Sequence, residues 1–266
     1  MNSTVAWTAA RLRALKGREK IVSLTAYDFA TARLVDESGV HLVLVGDSLG
    51  MTVLGYENTL PVTMLDMLHH TAAVARGVQH ALVVADMPFM SYQISIPHAL
   101  ANAARFLKVG AHAVKIEGGA LRAPTVRALV ENGIPVLGHI GLTPQSIQEF
   151  GGFKVQGRTA AAAEELLRDA RALEAAGVFA LVLESIPPDL AGKITAAIGV
   201  PTIGIGAGAQ CDGQVLVIHD LLGLGGDWKP KFAKRYADLG TAARAAIADY
   251  KREVETGKFP GPEHCY

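Results

Sequence analysis

Cysteine is nearly absent: Cys211 and Cys265 are all that 266 residues contain. Two cysteines cannot build a disulfide framework or a cysteine-rich zinc site. So sparse a use of thiols suits a reducing, cytoplasmic setting. Neither sign of charge is in excess, with 25 Lys+Arg against 25 Asp+Glu. Nucleic acid and anionic membrane, which need clustered excess Lys and Arg, are excluded as expected partners. No apolar run approaches the ~18 residues of a membrane span. The first residues, MNSTVAWTAARLRALKG, lack an apolar stretch of signal-peptide length. Their arginines and missing acids are also found in transit peptides, but the pattern reads better as a short amphipathic helix over 5–15 docked on the fold.

What the chain does have is apolar mass. Half of it is hydrophobic, which rules out global disorder. Mean hydropathy is +0.27 without any membrane span, as expected where parallel strands are buried on both faces. Val/Ile/Leu-rich runs at 21–27, 41–45, 81–85, 113–116, 134–138, 179–183, 201–205 and 215–219 fit that description. Helical patterns fall between most of them, at 64–78, 98–108, 125–132 and 160–176. In the last, Leu166, Ala170, Leu173 and Ala176 form one apolar face, Thr159 is a cap and Gly177 a stop.

Repeated βα units over this length suit a (β/α)8 barrel, usually about 250 residues, or an open doubly wound sheet. The seventh connection is the weak one, a Gly-rich stretch at 206–213 with no helix. The pattern predicts a closing helix over 231–251. No linker divides the chain, so the expectation is a single domain, with 1–19 as a helical extension and 252–266 as a polar tail.

The polar residues gather in one kind of place. Asp47 and Ser48 follow the second run, Asp86 the third, Glu117 ends the fourth with Lys115 inside it, His139 ends the fifth and Glu184 the sixth. The C-terminal edge of a parallel sheet carries the active site in barrels and open sheets alike. Asp47, Asp86, Glu117 and Glu184 would crowd four carboxylates there. Two unit charges 4 Å apart repel by about 4 kcal/mol at an effective dielectric near 20. Such a cluster protonates, finds cations or binds a metal; Lys115 supplies one charge. Without Cys or paired His ligands, oxygen-preferring Mg²⁺ or Mn²⁺ fits better than zinc. The plainer reading makes some of these acids helix caps.

Other motifs carry less. Gly46-Asp47-Ser48-Leu49-Gly50 matches a nucleophile elbow, with Glu184 and His219 as conceivable partners, but 51–63 reads as a loop where the elbow needs a helix. Gly204-Ile-Gly-Ala-Gly208 lacks the spacing and the following helix of a dinucleotide loop. A packed or solvated helix face accounts for His69 and His70, a structural role for His112, and an inert thiol for Cys211.

The stretches KIVSLTAYD (20–28), GDSLGMTVLGYENTLPVT (46–63), ADMPFMSY (85–92), AVKIEGG (113–119), GHIGLTPQ (138–145), GGFKVQGR (151–158) and PTIGIGAGAQCDGQVLVIHDLLG (201–223) resemble the ketopantoate hydroxymethyltransferase family, also called 3-methyl-2-oxobutanoate hydroxymethyltransferases. The resemblance covers the chain from about residue 20 onward. It implies a (β/α)8 TIM barrel, a cytoplasmic homodecamer, one Mg²⁺ per subunit and 5,10-methylenetetrahydrofolate as co-substrate. It further implies transfer of a one-carbon unit to 3-methyl-2-oxobutanoate through a metal-stabilised enolate, in pantothenate biosynthesis.

Carried over by position, Asp47 and Asp86 would bind the metal and, through it, the substrate. Glu117 would complete the metal site through water. Ser48 and Lys115 would hold the keto acid, Glu184 would accept the proton, and His139 would support the pocket. The apolar frame around Glu184 is expected to raise its basicity. Loops 51–63 and 143–158 are expected walls for folate. The competing class is a Mg²⁺-dependent 2-oxo-acid lyase or mutase of the phosphoenolpyruvate mutase/isocitrate lyase type.

Overall fold

The computed structural model describes residues 6–225 and 230–266. It divides into two compact units, Met1–Val217 and Ile218–Tyr266. The first opens with α1 (Ala9–Arg13) and continues β1 (Ile21–Thr25), α2 (Phe29–Glu37), β2 (Leu42–Val45), α3 (Leu49–Thr52), α4 (Met64–Gly77), β3 (Leu82–Asp86), α5 (Ile96–Lys108), β4 (Ala113–Glu117) and α6 (Ala123–Glu131). It then runs β5 (Val136–Gly141), α7 (Ile147–Phe150), α8 (Ala160–Ala176), β6 (Ala180–Glu184), α9 (Pro188–Ala197), β7 (Thr202–Ile205) and β8 (Gly213–Leu216). The second unit holds α10 (Ile218–Leu222) and α11 (Leu239–Glu255).

The eight strands pair in chain order and close into a barrel, β8 returning to β1. Every ladder is parallel. Closure decides between the two architectures that strand spacing left open, in favour of the TIM barrel. β2 to β7 are buried on both faces, so they read as apolar runs, whereas β1 and β8 each expose one residue, Val22 and Gln214. Their side chains still alternate. Leu42 and Leu44, Leu82 and Val84, Ala180 and Val182, and Ile203 and Ile205 share one apolar cluster with Ala113 and Leu137. Continuing the rows of β3, β4, β5 and β6 reaches Asp86, Lys115 then Glu117, His139 and Glu184. The lower part of these rows fills the barrel and the upper part brings polar side chains to the C-terminal strand ends.

α1 closes the opposite end. Thr8 caps it, accepting the Arg11 N–H at 3.2 Å. Leu12 is fully buried in the barrel cluster, with Trp7, Ala9 and Leu15 packed against it. The expected helix over 5–15 is thus present as a shorter core; residue 5 lies outside the described residues. α8 matches its expected span, with Leu166, Ala170, Leu173 and Ala176 buried, Thr159 capping and Gly177 left-handed at φ 101°.

Four expectations change. The final strand is Gly213–Leu216 rather than 215–219, and His219 lies in α10. The last helix starts at Leu239, where Asp238 accepts the Thr241 N–H, rather than at 231, and it runs past 252 to Glu255. Residues 51–63 are not all loop, because one helical turn, Leu49–Thr52, follows Ser48 directly. α2 and α9 were not anticipated. No helix lies between β7 and β8, as the Gly-rich stretch indicated.

Candidate active site

Asp47, Asp86, Lys115, Glu117 and His139 are buried, none more than 4% exposed. The Lys115 ammonium is the hub. Its Nζ lies 3.0 Å from Asp86 Oδ1 and 3.2 Å from Glu117 Oε1. It also lies 3.2 Å from His139 Nδ1. The Asp47 N–H donates to Asp86 Oδ2 at 3.0 Å, which joins the ends of β2 and β3. His139 Nδ1 is 3.4 Å from Glu117 Oε1, and its Nε2 is 3.3 Å from Glu184 Oε2. Glu184 is drawn close by Gly141, its ladder neighbour. A Cβ at Gly141 would lie 2.3 Å from the Glu184 carbonyl oxygen, so only glycine permits this approach. Ser48 Oγ sits 2.8 Å from the Tyr27 hydroxyl.

The charges perturb one another. Burial pushes the Asp47 carboxyl well above its ordinary value, and the charges of Asp86 and Glu117 push the same way. Burial also raises Asp86, with Lys115 opposing it. For Glu117, burial is outweighed by Lys115 and His139, which hold it at about 2. Burial and Lys115 act to lower His139, yet Glu117 and Glu184 bring it to about 9. Lys115 is raised because its three carboxylate neighbours overcome burial. Burial moves the Tyr27 phenol to about 12, so it is no base for Ser48. A helical turn does follow the serine, but its hydroxyl meets this phenol rather than an imidazole.

Gln145 was not foreseen. It lies in the short 3-10 turn Pro144–Ser146 after β5. Its Nε2 donates to Asp47 Oδ2 and to the Met87 carbonyl, both at 2.9 Å. Its backbone N–H donates to Glu117 Oε2 at 3.0 Å. Its Oε1 accepts the Tyr92 hydroxyl proton at 2.8 Å, which fixes the amide orientation. A buried glutamine is uncommon enough to draw notice, but nothing near it in sequence points to Asp47.

Two details differ from expectation. The Glu184 side chain is 14% exposed and meets His139, so it is not sealed in an apolar frame. Among the described residues, no group of three His, Cys, Asp or Glu side chains is gathered tightly enough to hold a metal ion by itself. The donor chemistry nonetheless suits Mg²⁺. Asp47, Asp86, Glu117 and Glu184 present oxygens only, and they outnumber the cationic partners Lys115 and His139. Mg²⁺ commonly takes one or two carboxylates and completes its shell from water and substrate.

The remaining singled-out residues have structural partners. His70 Nδ1 lies 2.6 Å from the Tyr27 carbonyl oxygen. His112 Nδ1 accepts the Val83 N–H at 3.1 Å. The Cys211 thiol is buried and pushed up by that burial.

A closed parallel barrel with a buried carboxylate–lysine cluster at the C-terminal strand ends is the architecture of a barrel enzyme. The family model for ketopantoate hydroxymethyltransferase matches residues 6–262, and the chain belongs to that family. A 3-methyl-2-oxobutanoate hydroxymethyltransferase of Syntrophobacter fumaroxidans is 59% identical over 258 residues, 97% of this chain and 92% of that one. One of Moorella thermoacetica is 59% identical over 261 residues, covering 97% of each. Among solved structures, 2,3-dimethylmalate lyase aligns with TM-score 0.61 at 18% identity, over 96% of this chain and 92% of that one. A phosphonopyruvate hydrolase complex with oxalate and Mg²⁺ aligns with TM-score 0.62 at 14% identity, over 97% and 93%. At such identity these two share the fold alone, so the lyase and mutase class gains no support as an activity.

Proposed function

We propose that this chain transfers a hydroxymethyl unit from 5,10-methylenetetrahydrofolate to 3-methyl-2-oxobutanoate, giving ketopantoate (2-dehydropantoate) and tetrahydrofolate for pantothenate biosynthesis. The observation that carries the reading is the family match over residues 6–262, joined to an unbroken set of strand-end residues inside it.

In this reading Asp47 and Asp86 hold Mg²⁺, with Glu117 acting through water. When bound, Mg²⁺ supplies Lewis acidity toward the ketone and carboxylate oxygens of the keto acid. Ser48, oriented by Tyr27, and Lys115 hold the keto acid. The Lys115 ammonium, itself fixed by Asp86 and Glu117, faces the oxygen on which negative charge develops when C3 is deprotonated. A carboxylate of Glu184 takes that proton. His139 touches Glu184 on one side and Glu117 and Lys115 on the other, so it orients the base and balances its charge. The C3 carbanion equivalent then bonds to the methylene carbon of the co-substrate; both bonds from that carbon to the folate nitrogens break, water supplies the hydroxyl, and the nitrogens take up the proton held by Glu184 and one from that water.

The chain is proposed to work as a homodecamer in the cytoplasm. Phe29, Leu34 and Leu65 are 45, 64 and 70% exposed, which supports an assembly that covers them. Free Cys211 and Cys265 support a reducing compartment. No helix among the described residues is long and apolar enough to cross a membrane.

The test is folate-dependent ketopantoate formation with and without EDTA. Chelation is expected to abolish it and added Mg²⁺ to restore it. No product from the metal-loaded chain sinks the reading, and full activity after exhaustive chelation removes the metal from it.

A further inference from the structure

Beside the acid cluster lies a cavity of about 780 Å³. That volume suits a drug-sized molecule (roughly 300–1,000 Å³) more than a small keto acid. Glu117, Gly141 and Gln145 line its inner end, which places it against the strand ends that carry the chemistry. Leu60 and part of 143–157 also line it, so both loops expected as folate walls reach it.

The lining has two characters. Phe89, Met90 and Leu121 are exposed apolar side chains on its walls, at 42, 44 and 78%. Met90 holds φ 64°, a left-handed conformation disfavoured for a side-chain-bearing residue. Asp169 of α8 lines another wall. Its Oδ1 accepts the Ala120 N–H at 2.8 Å. It has no ion pair among the described residues, and burial together with Glu165 pushes its carboxyl up. A Cβ at Gly119 would lie 1.9 Å from Asp169 Cγ, so glycine there makes room for the carboxylate. Glu149 and Glu165 add negative charge, and Arg122 is the cation of the lining.

We propose that this cavity seats the pterin of the folate co-substrate, its ring against Phe89, Met90 and Leu121 and its aminopyrimidinone N–H donors on Asp169. The 2-amino group and the adjacent ring N–H match the two oxygens of a carboxylate. The apolar walls take the faces of the ring, and Arg122 is left for the carboxylates of the glutamyl tail. The inference rests on the folate-dependent reading above and adds to it where the second substrate sits.

Two variants of the Mg²⁺-loaded enzyme test it. Asp169→Asn keeps an oxygen for the Ala120 N–H and replaces the carboxylate acceptor. Leu121→Asp alters an exposed wall residue that the fold does not bury. Both are expected to raise KM for 5,10-methylenetetrahydrofolate by about ten-fold or more, the loss of a charged hydrogen bond or of an apolar wall. KM for the keto acid, and folate-free exchange of its C3 hydrogen with solvent, are expected to stay within about two-fold. Folate KM unmoved in both variants, with wild type turning over normally, overturns the subsite alone. Loss of C3 exchange in Asp169→Asn also overturns it, because Asp169 would then act on the barrel. Wild type without folate-dependent turnover removes the functional reading and the subsite with it.

Discussion

Gln145 does for Asp47 what Lys115 does for Asp86: it gives a buried carboxylate a donor, but without adding charge. Its amide is held at both ends, so Asp47 Oδ2 is committed to a fixed donor. Gln145→Leu leaves a buried acceptor unsatisfied, a loss of about 1–3 kcal/mol. The expected outcome is weaker Mn²⁺ or Mg²⁺ binding by calorimetry and kcat/KM lower by roughly 5- to 150-fold. Unchanged metal affinity and kcat/KM would reduce the amide to filler. Glu184→Gln is expected to slow C3–hydrogen exchange by about 10²- to 10⁴-fold while leaving metal affinity nearly intact. A collapse of metal affinity would instead make Glu184 a ligand. Ser48→Ala is expected to cost only about 0.5–1.5 kcal/mol in kcat/KM, the worth of a neutral hydrogen bond; stoichiometric acylation of Ser48 by an active ester would restore the hydrolase class.

The elements at the closed end of the barrel hold it together away from the chemistry. Leu12 of α1 is buried against strand residues, and Trp7 packs 4.6 Å from the His41 ring. Leu12→Ala is expected to destabilise by about 2–5 kcal/mol in urea unfolding, with kcat of the folded enzyme unaltered. Asp212, before β8, ties the turn after α1 to β7. It accepts Lys16 Nζ at 2.8 Å and the Thr202 N–H at 2.9 Å. Burial would raise its carboxyl, but Lys16 and Thr202 hold it below the ordinary value. A depressed folded pKa contributes stability above the unfolded value of about 3.9, and that contribution is lost as pH falls through the folded value. The stability gap between wild type and Asp212→Asn should therefore be widest near neutrality and close below about pH 4. A gap that stays constant from neutral to acid pH would assign the effect to packing.

For the whole molecule, light scattering is the direct measure of the proposed assembly, expected at ten times the 28.0 kDa chain. A mass equal to one chain would leave Phe29, Leu34 and Leu65 without a cover. On the proposed function, Mg²⁺ and keto acid bind only the folded state, and each should then raise the unfolding free energy by about 2.7 kcal/mol at one hundred times Kd. EDTA should cancel the increment; a melting temperature indifferent to both would argue against a ligand site in the acid cluster.

Much of this was readable residue by residue. Leu82–Val–Val–Ala–Asp86 and Ala180–Leu–Val–Leu–Glu184 announce buried strands with an acid at the C-terminal end, because apolar content and strand punctuation are local properties. Thr159 and Gly177 marked the ends of α8 for the same reason. The convergence of those acids was only implied, since closure of β8 on β1 is what brings the strand ends together. Leu49–Thr52 was hidden by its glycine, and the late start of α11 by a cap at Asp238 that has no strong pattern before it. Gln145 could not be assigned at all: it stands 98 residues from Asp47, and no short-range periodicity carries that pairing. Local composition decides which residues a strand buries and where it ends. Which side chain meets which across the mouth depends on ladder register and barrel closure, interactions between segments far apart in the chain.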